Sequence, residues 1–510
     1  MKQTEYLLIS NIECTRSVAE AMVLFDLRPA ADTRSTDFST LSLHQIGVKV
    51  ECRPDEQLWL IILEISCNEQ EQHRITRSAQ RVLNAEDMNG SEKNRVIRLL
   101  IWETMKSITG QDPSPWGILR GVRPVKIVHR LLDKGFSPSA IPTQLTTHYG
   151  VSAVKAALVT AIAVKQRPFL GLPGQSNRTV SLYIAIPYCP TRCLYCSFPA
   201  NPLPPNPMQL AAFLKALYQD MADTRAALRR HQLQVQTIYV GGGTPTSLND
   251  HDFSQLIETI TNWFVSSTVR EFTVEAGRPD SITTGKISAM IRHGVTRVSI
   301  NPQTMQDRTL RLIGRNHTVQ DVTSVFHQIR QNQAFSINMD IIAGLPGETE
   351  QDMIDTMEKI SSLRPDNLTV HTLAIKRGSE LKANSSLQLL PDKQTTGSMV
   401  EIAAAYTADM RLEPYYLYRQ KYMTGNLENV GYALAAKECL YNIQIMEERQ
   451  TIIGIGPAAG SKMVDCRTMK LQSSYNPKEV TRYISHLPVY LQTRNRVLDE
   501  LYADGIHLSL

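Results

Sequence analysis

The sequence predicts an α/β protein: a partial (β/α)6 barrel, with an N-terminal α/β domain before it and a smaller C-terminal domain after it. Three observations predict this. From residue 181 to 373, six short apolar runs alternate with longer helical segments, the pattern of a parallel sheet with its helices outside. The stretch QRPFLGLPGQSNRT at 166–179 is rich in Pro and Gly and reads as a linker ahead of that alternation. After about residue 398 the alternation fades.

Bulk properties bound the rest. A chain of 510 residues exceeds one ordinary core, so roughly two to four domains are expected. Apolar residues at 42% and charged residues at 20% are those of a globular protein. A net charge of +5 is small at this length and does not argue for nucleic acid or a membrane surface as partner. No run approaches the ~18 apolar residues of a membrane span. The opening MKQTEYLLISNIE lacks the apolar core and cleavage site of a signal peptide, so a cytoplasmic location is expected; a monomer is expected as well.

Residues 1–165 form the first expected domain. Leu58–Ile65 reads as a buried strand, and Asn94–Ile108 as an amphipathic helix with Ile97, Leu100, Ile101 and Met105 on one face. QDPSPWG at 111–117 reads as a loop and Val151–Val164 as an Ala-rich helix. No chemical motif stands out there. The linker is set at 166–180 and the barrel at 181–410. Its expected strands are Leu182–Ile186, Thr237–Val240, Phe272–Glu275, Arg297–Asn301, Ser336–Ile342 and Leu368–Leu373, with helices near 208–230, 250–264, 281–293, 318–331 and 349–362. A helix near 398–411 leads into the C-terminal domain, 411–510, which opens with the aromatic and basic stretch PYYLYRQKYM. In such barrels chemistry sits at the C-terminal ends of the strands.

The motifs fall at those ends. Eight cysteines are present, and three cluster in YIAIPYCPTRCLYCSF at 183–198, spaced C-x3-C-x2-C as Cys189, Cys193 and Cys196. The other five read as small buried hydrophobes. Thiolates are soft ligands that suit iron–sulfur clusters. Three of them hold three irons of a cubane and leave the fourth open for a substrate. The alternatives are a structural zinc site or three buried cysteines, but zinc usually takes four protein ligands and no matching His or Cys lies nearby. One βα unit later, YVGGGTPT at 239–246 follows a strand. Its glycines let backbone approach a ligand, although a triple glycine alone is more often a plain turn. A third glycine run, IIGIGPAAGSK at 452–462, matches neither dinucleotide nor Walker patterns.

Together these motifs resemble the radical SAM superfamily and, within it, the oxygen-independent coproporphyrinogen III oxidase family, in its longer Gram-positive-type branch with an extra N-terminal domain. The motifs span about 181–465, and PWGILRGVRPVKIVH at 115–129 and YYLYRQKYM at 415–423 are similar to that branch as well. The resemblance implies one 4Fe–4S cluster on Cys189, Cys193 and Cys196. It implies S-adenosylmethionine on that cluster, against Tyr183 and Gly242, with its ribose hydroxyls on Glu275. In the family a second S-adenosylmethionine site is built from the residues matching Tyr195, Gly243, Thr244, Gln303, Arg315 and Asp340. Taken singly each has a plainer reading: Arg315 as a surface ion pair, Gln303 as a helix cap. The glycine run at 452–462 is similar to a segment that closes over the adenine side.

The implied reaction is oxidative decarboxylation of coproporphyrinogen III to protoporphyrinogen IX in haem biosynthesis, with electrons from a reducing protein such as flavodoxin or ferredoxin. Four propionates need cationic partners. Lys376, Arg377, Arg419 and Lys421 are candidates, with solvated surface charge as the alternative. Tyr415, Tyr416 and Tyr418 could line a flat macrocycle or pack in a core. One departure stands out. Relatives with established oxidase activity carry a further cysteine two positions after the third ligand, where this chain has Phe198. Relatives with phenylalanine there include haem-carrying chaperones, so haem delivery is the alternative function.

Overall fold

The computed structural model of the chain describes residues 5–30, 45–55, 58–70, 73–84, 90–121, 123–175, 178–198, 201–376, 378–383, 389–420 and 423–502. They fall into two compact units: 1–124 with 134–161 and 425–427, and 125–133 with 162–424 and 428–510.

The first unit contains β1 (Glu5–Ser10), α1 (Thr15–Met22), β2 (Arg28–Pro29), β3 (Gln45–Asp55), β4 (Leu58–Gln70), β5 (His73–Asn84) and α2 (Ser91–Thr109). Its described strands form one sheet in the order β2-β1-β3-β4-β5. β1 runs parallel to β2 and β3, while β3, β4 and β5 are antiparallel. Along β4, Ile61, Leu63 and Ile65 are buried while Ile62 and Glu64 between them are half-buried, the period-two alternation of a strand with one face on a core. The expected helical face is also present: Ile97, Leu100, Ile101 and Met105 of α2 are at most 1% exposed and share a core with Val18 and Met22 of α1.

α3 (Pro124–Asp133) opens on a proline, whose fixed φ suits a first helical turn. From Val125 onward it belongs to the second unit. α4 (Ile141–Tyr149) lies in the first unit, and α5 (Ala153–Gln166) passes from the first unit into the second at residue 162. The second unit continues with β6 (Thr179–Ile186), β7 (Tyr188–Cys189), β8 (Asn201–Pro202), α6 (Pro207–Arg230), β9 (Gln234–Gly242), α7 (Asp250–Phe264), β10 (Glu271–Glu275), α8 (Thr284–Arg292), β11 (Arg297–Gln303), α9 (Asp307–Leu312), α10 (Val319–Arg330), β12 (Ser336–Ala343), α11 (Glu350–Leu363), β13 (Asn367–Thr372) and α12 (Lys393–Asp409). After these come β14 (Glu413–Tyr418), β15 (Asn429–Ala433), α13 (Leu440–Glu447), β16 (Thr451–Ile455), β17 (Gly460–Val464), β18 (Leu471–Tyr475) and α14 (Val480–Tyr502).

The six expected strands, β6 and β9 to β13, are neighbours in chain order and all parallel. Local chemistry starts their helices. Asn206, Asn249, Thr283, Thr318, Thr349 and Asp392 each cap the following helix by accepting a backbone N–H on the side chain. Thr318 with Asp321 and Thr349 with Asp352 complete capping boxes.

The C-terminal region corrects one expectation. Residues 411–510 were expected as a smaller domain of their own; instead their strands join the barrel sheet. β15 and β14 add antiparallel to the edge strand β13, and β16 pairs parallel with β6 at the other edge, followed by β17 and β18. An open parallel sheet leaves unpaired backbone groups on both edges, and these strands cover them. The expected linker also packs in part: Leu170 is buried in a core with Tyr415 and Tyr441, and Gly174 N–H donates to Cys466 O at 2.8 Å.

Candidate functional site

The cysteine loop leaves the C-terminal end of β6. Cys189 sits on β7, which pairs with β8 at Tyr188↔Asn201 and Cys189↔Pro202. The loop is tied from several sides: Cys196 N–H to Cys193 O at 3.1 Å, Leu194 N–H to Ile313 O at 3.1 Å, Thr191 Oγ1–H to Gly314 O at 3.1 Å, and Leu381 N–H to Leu194 O at 2.8 Å. Burial raises the Cys189 and Cys196 thiols above their ordinary value. Cys189 Sγ lies 3.3 Å from Thr244 Oγ1, and Cys193 Sγ lies 3.7 Å from the Arg278 guanidinium. Among the described residues no three His, Cys, Asp or Glu side chains converge on a single point. A cubane makes a different demand: one thiolate per iron, placed around a body several ångström across rather than converging on a point. Cys189, Cys193 and Cys196 supply three soft thiols on one tied loop.

The triple glycine seats the end of β9 against this loop. A Cβ on Gly243 would lie 2.5 Å from Tyr188 O and 3.1 Å from Cys189 Sγ, and one on Gly241 would lie 2.8 Å from Glu275 Oε2. Gly242 has φ +104°, open to glycine at little cost. The sequence gives these glycines to a ligand; at Gly241 and Gly243 the close neighbours are the chain's own loop and carboxylate.

Glu275 ends β10, and Tyr239 Oη–H donates to its Oε1 at 2.5 Å. Burial pushes the Glu275 carboxyl up to about 7, against the Tyr239 and Gly242 hydrogen bonds and with help from the Asp340 charge. Tyr183 and Tyr239 stack at 6.1 Å between ring centroids, and Tyr441 stacks on Tyr239 at 4.4 Å. Arg315 donates to Asn301 O at 2.6 Å, Gly277 O at 3.2 Å and Tyr195 Oη at 3.2 Å. Its Nε and the Oε1 of Gln303 are buried with no hydrogen-bond partner among the described residues. Gln303 has φ +71°, a left-handed conformation that costs a side-chain-bearing residue of order 1–3 kcal/mol. Asp340 accepts from Asn338 Nδ2 at 2.8 Å and lies 3.6 Å from His371 Nε2. Burial raises its carboxyl, but His371, Asn338 and Thr369 outweigh burial and hold it below the ordinary value.

A model of the radical SAM superfamily matches residues 183–360. The oxygen-independent coproporphyrinogen-III oxidase-like protein HemZ of Bacillus subtilis (strain 168) is 40% identical over 388 residues, covering 76% of this chain and 77% of that protein. The chain belongs to this radical SAM family. The heme chaperone HemW of the same organism is 30% identical over 295 residues, 57% of this chain and 73% of its own. The coproporphyrinogen III oxidase HemN of Escherichia coli, a radical SAM enzyme, shares the fold, with TM-score 0.50 and 22% identity over 64% of this chain and 72% of that one.

Radical SAM proteins use a 4Fe–4S cluster and S-adenosylmethionine, and the residues present fit both. The thiol loop suits the cluster, and the orphaned Gln303 Oε1 and Arg315 Nε are buried polar atoms that a polar ligand would satisfy. The cationic candidates divide. Lys376 is half-buried, and burial pushes its ammonium below the ordinary value, with Cys196 opposing the shift. Arg419 is 4% exposed, its guanidinium pushed down to about 9 by burial against the opposing Glu428 charge. Arg377 and Lys421 lie outside the described residues. Tyr415 and Tyr416 pack in a core, while Tyr418 is half-buried with its hydroxyl 3.2 Å from His371 Nδ1. Phe198 is 63% exposed. Sequence reasoning missed Tyr239, Arg278, Asn301, His317 and His371. Tyr239 lies two residues before the first of the glycines and Arg278 three residues beyond the Glu275 strand end, so proximity to a motif was the available signal. Nothing in the sequence marks His317, buried at 4% exposure with neither ring nitrogen hydrogen-bonded among the described residues.

Proposed function

We propose that the protein is a radical S-adenosylmethionine oxidoreductase that decarboxylates two propionates of coproporphyrinogen III to give protoporphyrinogen IX. The observation that carries this reading is the pair of orphaned buried atoms, Gln303 Oε1 at the end of β11 and Arg315 Nε three residues beyond α9. They argue for a second polar ligand beside the first, which a pure carrier needs less. Cys189, Cys193 and Cys196 would hold the cluster. Tyr183, Gly242 and Glu275 would hold S-adenosylmethionine, with Tyr195, Gly243, Thr244, Gln303, Arg315 and Asp340 around a second molecule.

The chemistry these groups supply when bound is reductive cleavage of S-adenosylmethionine, with hydrogen taken from a propionate β-carbon and CO2 and one electron lost to leave a vinyl group. The chain's own residues bind and orient. Tyr239 occupies Oε1 of Glu275 and fixes the carboxyl so that its remaining acceptor capacity serves the ribose hydroxyls. The Asn301 and Gly277 carbonyls hold the Arg315 guanidinium in place. A second reading, haem delivery, is favoured by one observation: exposed Phe198 two positions after Cys196, together with the likeness to the heme chaperone HemW.

Anaerobically reconstituted protein with dithionite, S-adenosylmethionine and coproporphyrinogen III is expected to yield 5′-deoxyadenosine and mono- or divinyl porphyrinogen, read by chromatography and mass spectrometry. Cofactor cleavage without vinyl product, joined to stoichiometric haem binding, moves the function to haem delivery. With an intact cluster and neither result, both readings fall.

A further inference from the structure

Arg278 belongs to none of the ligand sets above, yet, like Arg315 at Tyr195, it is a cation hydrogen-bonded to the cysteine loop. It lies three residues beyond the end of β10, with its side chain 3% exposed. One edge of the guanidinium faces Asp280, with Nε 3.2 Å from Oδ1 and Nη2 3.3 Å from Oδ2. The other edge faces the loop: Nη2 donates to Thr191 Oγ1 at 2.7 Å, and Nη1 to Thr191 O at 3.3 Å and Cys193 Sγ at 3.7 Å. Cys193, at 8% exposure, is the ligand thiol counted among the core residues. A buried guanidinium is costly unless its donors are satisfied. Here one carboxylate takes one edge, and the loop that would carry the cluster takes the other.

Hydrogen bonds to ligand sulfurs and nearby charge set the potential of iron–sulfur clusters. Reduction adds one negative charge, so an N–H donor and a cation at a ligand sulfur favour the reduced form. We infer that Arg278 is a positioning residue that holds Cys193 in the ligand loop and raises the reduction potential of the cluster through its N–H···S contact. The inference rests on the cluster reading of Cys189, Cys193 and Cys196. Asp280 opposes the effect, because its carboxylate offsets the guanidinium charge.

The test compares wild type, R278K, R278Q and D280N after anaerobic reconstitution, with iron content measured and the midpoint potential read by redox titration followed by electron paramagnetic resonance. In R278Q the redox equilibrium is expected to move about tenfold toward the oxidised cluster, ~59 mV lower for a one-electron couple. R278K should move the same way by less, and D280N the opposite way. A role confined to loop structure predicts no such pair of opposite shifts. Should R278Q fail to load iron, R278K and D280N still decide between the two. Loaded variants with the wild-type potential, or R278Q and D280N shifting with the same sign, overturn the inference. Wild-type protein that takes up no iron overturns the cluster reading itself.

Discussion

Glu275 shows how one residue's surroundings reach a measurable property. Its carboxyl is pushed up to about 7 by burial, from an ordinary value of 4.5. Below pH 4.5 it is protonated in both folded and unfolded chains, and no penalty arises. Between 4.5 and 7 the unfolded chain ionises while the folded one keeps the proton, so stability falls as pH rises, by roughly 3 kcal/mol in all. Above 7 the loss is complete. Denaturant unfolding of the apoprotein at pH 5 and pH 8 should therefore show E275Q gaining relative to wild type at the higher pH. Glu348, likewise pushed up to about 7 by burial, adds its own slope, so the difference between the two proteins is the readout. An equal gap at both pH values would show that the Glu275 carboxyl ionises freely. The sequence marks Glu275 as a strand-terminal carboxylate; Tyr239, which holds it, is legible only as the first residue of the segment YVGGGTPT.

At the scale of elements, strand and helix existence was legible because each carries its own periodicity. β14 and β15 depend on something else. Gly431 of β15 pairs with Tyr416 of β14, and a Cβ there would fall 1.7 Å from the tyrosine ring. Tyr416 in turn places its hydroxyl 3.1 Å from Thr369 Oγ1 on β13. G431A is expected to push the ring out, break that contact and cost about 1–3 kcal/mol, seen as a lower melting temperature with an altered near-ultraviolet tyrosine signal. A variant that melts as wild type does would show that the hairpin is free to shift. The aromatic run 415–418 was visible in the sequence, but a glycine on a strand thirteen residues later decides that Tyr416 packs inward.

At the scale of the whole molecule, α3 departs from the N-terminal unit. The sequence puts everything to residue 165 in the N-terminal domain, but α3 belongs from Val125 to the second unit. Its Asp133 accepts from both Arg449 and Arg167, and its His129 pairs with Gln166 at 2.9 Å. With Arg449 8% exposed, D133A strands a buried guanidinium. It should destabilise the chain by roughly 3 kcal/mol, measured by chemical denaturation. A loss well under 1 kcal/mol would mean that water already satisfies the arginines.

The sequence by itself determined the elements that local chemistry writes: the six βα units, their Asn, Thr and Asp caps, the thiol loop and the strand-terminal Glu275. These follow from spacing and side-chain type within a few residues. Only the tertiary structure decided which unit α3 belongs to, that 411–510 covers both edges of the barrel sheet, and that Arg278 meets Cys193 across 85 positions. An amphipathic helix reads the same whichever core it faces, an edge strand does not name its partner, and a buried cation is identified only by the groups that the fold brings around it.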